Sequence, residues 1–419
     1  MAALGVGGGA SAWGQADAAS TPAQTDPASQ TRAGEIQTQE QEKAKHLTPL
    51  VPPKGEAKFD SIEKTFIDPL INPNGFSPKL GGLPTGGGFS LGPRYTRQDL
   101  MNEHLLLDTS IVGSTKEWYR GDASLTFRHL FNDHLTIKPD AAYENAASVY
   151  YFGEGPFSSD NNKSDFRREF TTAHLDTTAH LAGQKLQAGY TIGGLLVNVG
   201  AGQKTSDGFV SSDTIFTEAN TPGLEHQTNF ITSTVHVGLD LTQPSFSNVK
   251  GLRLEASDSQ FFDQGDTHNS FHLLDTQATY SLPFLNGMRA VVFHLHNEST
   301  FHSDGQVVPF YLQPTIGGPN DLRGYDRYRF YDENASTANA EYRWPVSQTL
   351  EFAVFGDGGN VYGRPGLIGL RDARGDGGFG VRFKAKDQTV IRFDVGISPE
   401  GVKVWFVFNG IFAPLAHSF

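Results

Sequence analysis

The residues whose types and spacing could perform covalent or metal chemistry stand in poor contexts for it. Gly88–Gly92 reads GFSLG and fits the pattern around a serine nucleophile, but that motif lies between a strand and a helix. Here a glycine-rich stretch precedes it and Pro93 follows. His294 and His296 lie two apart and could share a metal, yet an ordinary polar strand face explains them better. The sequence therefore predicts no catalytic residue, no metal site and no cofactor.

A more informative set of charged residues lies in two segments near the C-terminus. Gln313–Tyr331 reads QPTIGGPNDLRGYDRYRFY, a long stretch rich in Gly, Arg and Tyr that is expected to fold back into a cavity. Leu350–Tyr362 reads LEFAVFGDGGNVY, in which alternation places Phe355 and Asp357 on an inward face. A buried carboxylate needs a charged partner, and Arg323 is the candidate.

The elements that must position these residues are β-strands. From residue 88 to the end, segments of about 9–14 residues alternate apolar and polar side chains between clusters of turn residues. In Thr389–Ser398, for example, Ile391 and Phe393 share one face while Arg392 and Asp394 share the other. About ten such segments precede residue 302 and five follow residue 328.

The two faces of these strands favour a barrel that spans a membrane. In a soluble sandwich the polar faces are wet, but here charged residues recur at strand centres in one segment after another. Lipid outside and a polar lumen inside explain both faces, and in lipid such a sheet must close. Because bacterial barrels have even strand numbers, we expect an all-β fold, a 16-stranded antiparallel transmembrane β-barrel. One strand is then still to be found, near 305–313 or 208–218.

The composition excludes several other classes of function. Among 419 residues there are 33 Lys and Arg against 46 Asp and Glu, a net charge of −13, which argues against a nucleic-acid partner. The absence of cysteine excludes thiolate metal sites and disulfides. No run reaches the roughly 18 apolar residues of a transmembrane helix.

The N-terminal part lacks the strand pattern. Residues 1–87 are expected to form a disordered or flexible lead-in, with one short helix near residues 61–67 and no strand pair. The start, MAALGVGGGASAWGQA, could be a truncated signal peptide. The barrel is expected to cover residues 88–419, with a last strand at Val402–Phe412. Its interfacial girdle would contain the aromatic residues Tyr342, Trp344, Phe352, Trp405 and Phe406.

Two motifs give the chain a specific resemblance. Leu322, Arg323, Gly324 and Tyr325 form an Arg-Gly-aromatic step, and Phe355–Gly359 reads FGDGG about 30 residues later. In both respects the chain resembles the BamA/TamA superfamily of outer-membrane assembly barrels, also called the bacterial surface antigen family. The resemblance implies that Gln313–Tyr331 is the sixth extracellular loop, folded inward. It also implies that Arg323 meets Asp357 in the lumen, beside Phe355 and Gly359.

The resemblance implies a function at the bacterial outer membrane without enzymatic chemistry. This barrel would help to insert or translocate proteins or lipids, using a weak seam between its first and last strands. Its partners would be outer-membrane lipids, together with unfolded barrel proteins or separate periplasmic subunits. The chain is expected to be a short member without the family's polypeptide-transport-associated domains.

Two other functions stay open at this point. The barrel could be a passive channel or the structural anchor of a larger complex. A soluble all-β enzyme or lectin is the other alternative hypothesis. The substrate and the oligomeric state are not indicated by the sequence.

Overall fold

A computed structural model describes residues 74–408 apart from 85, 203–209, 245–248, 348, 365–371 and 386–387, together with residues 38, 39 and 42. The chain divides into Met1–Thr48 and Pro49–Phe419. In the first part, the described residues Thr38, Gln39 and Glu42 have helical backbone. No helix in the described part of the chain is long and apolar enough to cross a membrane.

Sixteen strands of the described residues make up the main sheet. They are β1 Gly75–Leu80, β2 Ser90–Leu100, β3 Leu105–Ser114, β4 Tyr119–Leu130, β5 Leu135–Tyr151, β6 Ser164–Leu181, β7 Leu186–Ala201, β8 Phe230–Asp240, β9 Val249–Asp263, β10 Phe271–Phe284, β11 Arg289–Phe301, β12 Asn334–Pro345, β13 Leu350–Tyr362, β14 Arg374–Ala385, β15 Gln388–Ser398 and β16 Gly401–Phe408. The connections hold short elements, which are the two-residue strands Val210–Ser211, Gln243–Pro244, Thr315–Ile316 and Phe330–Tyr331 and the 3₁₀ turns Asp160–Asn162, Ser212–Thr214 and Phe310–Leu312.

Each strand pairs antiparallel with the next one along the chain, from β1 through to β16. Between β1 and β16 the described residues form no backbone ladder. The two ends of the sheet nevertheless approach each other, since the rings of Phe89 and Phe408 have centroids 5.4 Å apart. The sixteen antiparallel strands thus form a nearly closed barrel, and the predicted fold class is confirmed.

The alternation of the strands turns apolar side chains outward and charged ones inward. Val404 and Phe406 on β16 are 58% and 59% exposed, whereas Arg392 and Asp394 on β15 are fully buried. This is the distribution expected of a barrel whose outer face contacts hydrocarbon and whose lumen is polar.

The two ends of the barrel differ in their connections. The turns at residues 101–104, 131–134, 182–185 and 285–288 are short, whereas the connections at 152–163, 202–229 and 302–333 are long. Outer-membrane barrels have short periplasmic turns and longer extracellular loops. We call the two ends the short-turn end and the long-loop end.

Aromatic side chains pack together at the long-loop end. The ring of Tyr151 lies 5.2 Å from that of Phe310 and 4.9 Å from that of Tyr331, centroid to centroid. Phe166 completes the group, at 4.7 Å from Phe310. This aromatic cluster, Tyr151, Phe166, Phe310 and Tyr331, belongs to the largest buried apolar core of the described residues.

The first strand lies outside the range predicted for the barrel. The expected boundary was residue 88, with no strand pair before it, but β1 begins at Gly75 and pairs with β2 from Gly75↔Thr96 to Leu80↔Leu91. The strand is only six residues long and contains Pro78, so its alternation is too brief to be recognised. It is the strand missing from the count, because the two regions suggested for it hold only short elements.

The other predictions about the chain ends concern residues that are mostly undescribed. The signal peptide and the helix near residues 61–67 lie outside the described residues, and so does the flexible lead-in apart from the three helical positions and residues 74–84, 86 and 87, which include β1. The last strand begins at Gly401, one residue before its predicted start, and is described as far as Phe408. Its predicted end at Phe412 lies outside the described residues.

Candidate functional site

The segment Gln313–Tyr331, which we call the lumen loop, folds back inside the barrel. It belongs to the connection between β11 and β12, the sixth at the long-loop end. Leu322 and Arg323 at its tip are both 0% exposed, and Tyr325 is 2% exposed. An arginine so deeply buried requires charged partners, because an unpaired buried charge is very costly.

The structure brings Arg323 and Asp357 together in a bidentate ion pair. The Arg323 Nε and Nη2 atoms donate to the two Asp357 carboxylate oxygens at 2.7 and 2.6 Å. The Arg323 guanidinium also stacks on Phe355, with Cζ 3.4 Å from the ring centroid. The Asn339 side-chain amide donates a further hydrogen bond to the Asp357 carboxylate, at 2.8 Å. Planar pairing of this kind constrains direction as well as distance.

A second carboxylate, Glu341 on β12, joins the loop tip to a wider charge network. Glu341 accepts a hydrogen bond from Arg323 Nη1 and another from Arg382 Nη2, the latter at 2.7 Å. Arg382 in turn donates to Asp394 at 3.0 Å, and Arg392 lies 3.2 Å from the same carboxylate. The alternating charges allow the lumen to bury several ions at once, because each has an opposite neighbour.

The backbone of the loop tip is held by strands near the seam. Trp405 on β16 donates its indole N–H to the Arg323 carbonyl at 2.6 Å, and Ser398 on β15 donates to the Gly324 carbonyl at 2.7 Å. These bonds satisfy two carbonyls that would otherwise be buried without partners. The loop tip is therefore attached to β12 and β13 by its side chain and to β15 and β16 by its backbone.

Glycine at three positions makes room for this approach. A Cβ on Gly324 would lie 2.6 Å from the Cβ of Asp376, and one on Gly396 would overlap the Arg323 carbonyl. On Gly359 it would lie 3.3 Å from Ile316 of the loop. Side chains at Gly324 and Gly396 would force the loop away from the wall, and one at Gly359 would crowd both the wall and the loop.

Apolar packing completes the loop tip. Leu322 and Tyr325 pack with Phe330 and Val361 in a small buried cluster that also contains Ile316 and Ala335. The Tyr325 hydroxyl donates to the Gly375 carbonyl at 3.3 Å. These contacts place all four residues of the Leu322–Tyr325 motif against the barrel wall.

Charged side chains also tether the part of the loop that follows the tip. Asp326 accepts hydrogen bonds from Lys403 of β16 at 2.6 Å and from Lys163 at 2.9 Å. Burial would raise the pKa of the Asp326 carboxyl, but these hydrogen bonds outweigh it and hold the pKa below its usual value. Arg329 forms a further ion pair with Glu400.

Some residues of the site were not predicted. Glu341, Arg382 and Asp394 were not recognised as partners of the loop, although alternation alone places them on the inward face. Trp405 was expected in an interfacial girdle, and this was wrong because the side chain is only 7% exposed and points inward. Its neighbours Val404 and Phe406 are the exposed ones, so the alternation of β16 itself carried the signal.

A cavity of about 600 Å³ lies beside the lumen loop. It is lined on one side by residues next to the seam, including Gly81, Phe89 and Phe408. On the other side it reaches His294 and His296 on β11. The cavity thus extends from the seam into the lumen.

Most of the barrel sequence, including the site, matches a known protein family. The sequence pattern of the Omp85 superfamily domain matches residues 109–403, which reach from β3 to β16. The chain belongs to the Omp85 superfamily. The matched range includes the lumen loop and both motifs, so the resemblance to BamA/TamA barrels is confirmed. No curated protein sequence gives a significant match.

Solved structures share the fold of this Omp85 barrel. BamA from Haemophilus ducreyi lacking POTRA domains 1–3 matches with a TM-score of 0.55 and 12% identity, covering 80% of this chain and 69% of that one. CdiB from Escherichia coli matches with a TM-score of 0.53 and 10% identity, covering 79% of this chain and 62% of that one. This Omp85 chain is therefore a transmembrane barrel of the bacterial outer membrane, as predicted.

Proposed function

We propose that this Omp85 barrel helps to insert or translocate proteins or lipids at the outer membrane, without covalent chemistry. The observation that carries the proposal is that the described residues of β1 and β16 form no backbone ladder with each other. Next to these two strands lies the cavity of about 600 Å³ that extends into the lumen. A substrate entering between the two strands would reach a polar interior without crossing a continuous wall.

The physical reason concerns unpaired backbone groups. In hydrocarbon every N–H and C=O group needs a hydrogen-bond partner, so a strand edge without a partner is unfavourable there. Such an edge can be satisfied by a strand of another chain, which adds to the sheet through main-chain hydrogen bonds. The seam therefore suits an unfolded barrel protein as the incoming partner, and outer-membrane lipids are the second candidate.

The motif residues Leu322, Arg323, Gly324, Tyr325, Phe355, Asp357 and Gly359 would serve this function by shaping the lumen. In the proposal, the Arg323–Asp357 pair holds the lumen loop against β12 and β13 while β1 and β16 separate. The tether from Trp405 to the Arg323 carbonyl would link the last strand to the loop. Separate periplasmic subunits would deliver the substrate.

A disulfide across the seam tests the proposal directly. An added Cβ at Gly81 would lie 3.7 Å from the Cβ of Phe408, close to the spacing found in disulfides. The chain contains no cysteine, so Gly81→Cys with Phe408→Cys would have no competing thiol. We expect the oxidised variant to lose activity in the host and to regain it on reduction. Each single cysteine variant, treated with the same oxidant, is the control for strain at Gly81.

Depletion of the protein in its host would identify the substrate class. A fall in other folded outer-membrane barrels would indicate protein insertion. Altered surface phospholipid with unchanged barrels would indicate lipid transport. If neither changed, and the seam disulfide were also without effect, the passive channel or structural anchor would be the better description.

A further inference from the structure

Three potential metal ligands meet on the lumen face of two adjacent strands. Asp275 lies on β10, and His296 and Glu298 lie on β11, where Glu298 stands directly opposite Asp275 in the ladder. One ligand atom from each of the three lies within 4.8 Å of the other two. His296 Nε2 is 2.9 Å from Asp275 Oδ1. We call this group the β10–β11 cluster.

The β10–β11 cluster carries more negative charge than its neighbours balance. Within the described residues, the Glu298 carboxylate has no hydrogen bond or ion pair, and the ion-pair partner of Asp275 is His296. The arginines that share a cavity with Glu298 are engaged elsewhere, since Arg120 and Arg168 both pair with Glu144. Two carboxylates and one imidazole lie within 4.8 Å of one another, and a cation would stabilise this arrangement.

Space for a hydrated ion lies on both sides of the cluster. His296 lines the cavity of about 600 Å³ that starts at the seam, and Glu298 lines a second cavity of about 260 Å³. A single water needs only about 30 Å³. Ligand positions not filled by protein can therefore be filled by water.

We propose that Asp275, His296 and Glu298 bind a divalent transition-metal ion, with Zn²⁺ as the best fit. One imidazole nitrogen and two carboxylate oxygens are ligands that Zn²⁺ accepts, and a fourth position stays open towards the cavity. Binding would replace the hydrogen bond between His296 and Asp275 and release any proton held at Nε2. The ion would neutralise both carboxylates.

The site would connect the barrel wall with the lumen loop. Asp321 of the loop lines the same cavity as His296 and lies two residues before Arg323. A metal bound to the wall would therefore face a loop carboxylate across the cavity. Occupancy of the site would then add to the attachment of the loop tip.

A neighbouring pair offers a matched control. His174 on β6 stands opposite Asp140 on β5, with Nδ1 3.5 Å from a carboxylate oxygen, on the same lumen side of the barrel. Among the described residues, this pair does not belong to a group of three or more potential metal ligands. Changing it removes a histidine–aspartate contact from the lumen without touching the proposed site.

The experiment measures Zn²⁺ binding to the full chain, purified in detergent and stripped with a chelator. Isothermal titration and elemental analysis should show one ion per chain in the wild type. Glu298→Gln and His296→Gln should each weaken binding by at least about tenfold, the loss seen when even a supporting group of a metal site is removed. Asp140→Asn should bind as the wild type does.

Heat-modifiability on gels confirms that each variant is folded before titration. If a cluster variant does not fold, Asp275→Asn and a double variant with Gln at both His296 and Glu298 replace it. No Zn²⁺ binding by the folded wild type would overturn the proposal. Binding that stays unchanged in the folded cluster variants would overturn it as well, because the ion would then bind elsewhere.

Discussion

At the scale of single residues, the Arg323 guanidinium is the charge on which the site most depends. It contacts Asp357, Glu341 and Phe355, all of which are at most 5% exposed. Arg323→Ala would leave both carboxylates without their closest cation. Breaking a buried pair costs about 3–5 kcal/mol, so we expect much less folded, heat-modifiable protein and a lower free energy of unfolding in urea.

A surface arginine is the control for this prediction. Arg97 pairs with Asp99 at 2.8 Å, but the two side chains are 40% and 53% exposed. Exposed pairs contribute little because water and salt screen them. Arg97→Ala should leave heat-modifiability unchanged, and an equal effect of the two substitutions would contradict a special role for Arg323.

Gly396 offers a test of how closely the loop approaches the wall. A methyl group there would meet the carbonyl of Arg323, whereas the nearest atom to a methyl group on Gly356, which faces outward, is 3.9 Å away. Overpacking costs about 1–3 kcal/mol. Gly396→Ala should lower the free energy of unfolding by this amount, and Gly356→Ala should change it little. Equal stabilities of the two variants would mean that the loop does not lie against β15.

At the scale of the elements, a buried acid outside the strands directly follows the lumen loop. Asp332 is 5% exposed, between Tyr331 and β12, and burial raises the pKa of its carboxyl to about 6. The folded protein therefore keeps the proton at a pH where the unfolded chain has lost it. The contribution of Asp332 to the free energy of unfolding therefore falls as pH rises from about 4 to about 6, and it is lost above that range.

Asp332→Asn should remove this dependence on pH. The difference in unfolding free energy between the variant and the wild type should grow in favour of the variant from pH 4 to pH 7, by at most about 3 kcal/mol. Urea titrations at several pH values measure it. Asp304→Asn, which alters an exposed carboxyl of the same connection, is the control. A constant difference for Asp332→Asn would contradict the raised pKa.

The strands were predictable because each face of a barrel wall has a different solvent. Lipid outside and water inside impose alternation on every strand that is long enough to show it. The alternation of β15, eleven residues long, was predicted correctly. β1 could not be found in this way because its six residues contain one proline. Its place in the sheet depends on pairing with β2, which the pattern of β1 alone does not show.

The site was predictable in part for the same reason. The alternation along β13 places Asp357 inside the barrel. A buried carboxylate needs a cationic partner, and Arg323 of the lumen loop provides it. Alternation along β12 and β15 likewise places Glu341 and Asp394 inside. It does not indicate which of several arginines each carboxylate contacts. That choice depends on the height of the loop tip in the lumen, which is decided by packing of Leu322 and Tyr325.

At the scale of the whole molecule, the interior is obstructed. Barrels of 16–18 strands can enclose an aqueous channel, but here the lumen loop lies against β12 to β16 and the aromatic cluster packs at the long-loop end. We expect low conductance in planar bilayers. Replacing residues 317–328 with a short Gly-Ser linker should raise the conductance several-fold.

The measured conductance distinguishes a barrel for insertion or translocation from a passive channel. High conductance of the folded wild type would favour a passive channel. A low value that does not change when the loop is shortened would show that the loop is not the obstruction. Arg323→Ala provides an intermediate case, since it removes the side-chain attachment of the loop tip to β12 and β13 and keeps the loop.

The contacts of Leu322–Tyr325 bear on the order in which the barrel is built. Among the described residues, those on strands that bind this tip through polar atoms are Glu341, Asp357, Gly375, Ser398 and Trp405. All of them follow the loop in the chain, so their closure needs none of the first eleven strands. These contacts span 18 to 82 residues, and contacts of smaller separation in sequence form faster than those that join the two ends of the chain. The last five strands can therefore assemble around the loop as a template to which earlier strands are added, so that assembly runs opposite to synthesis.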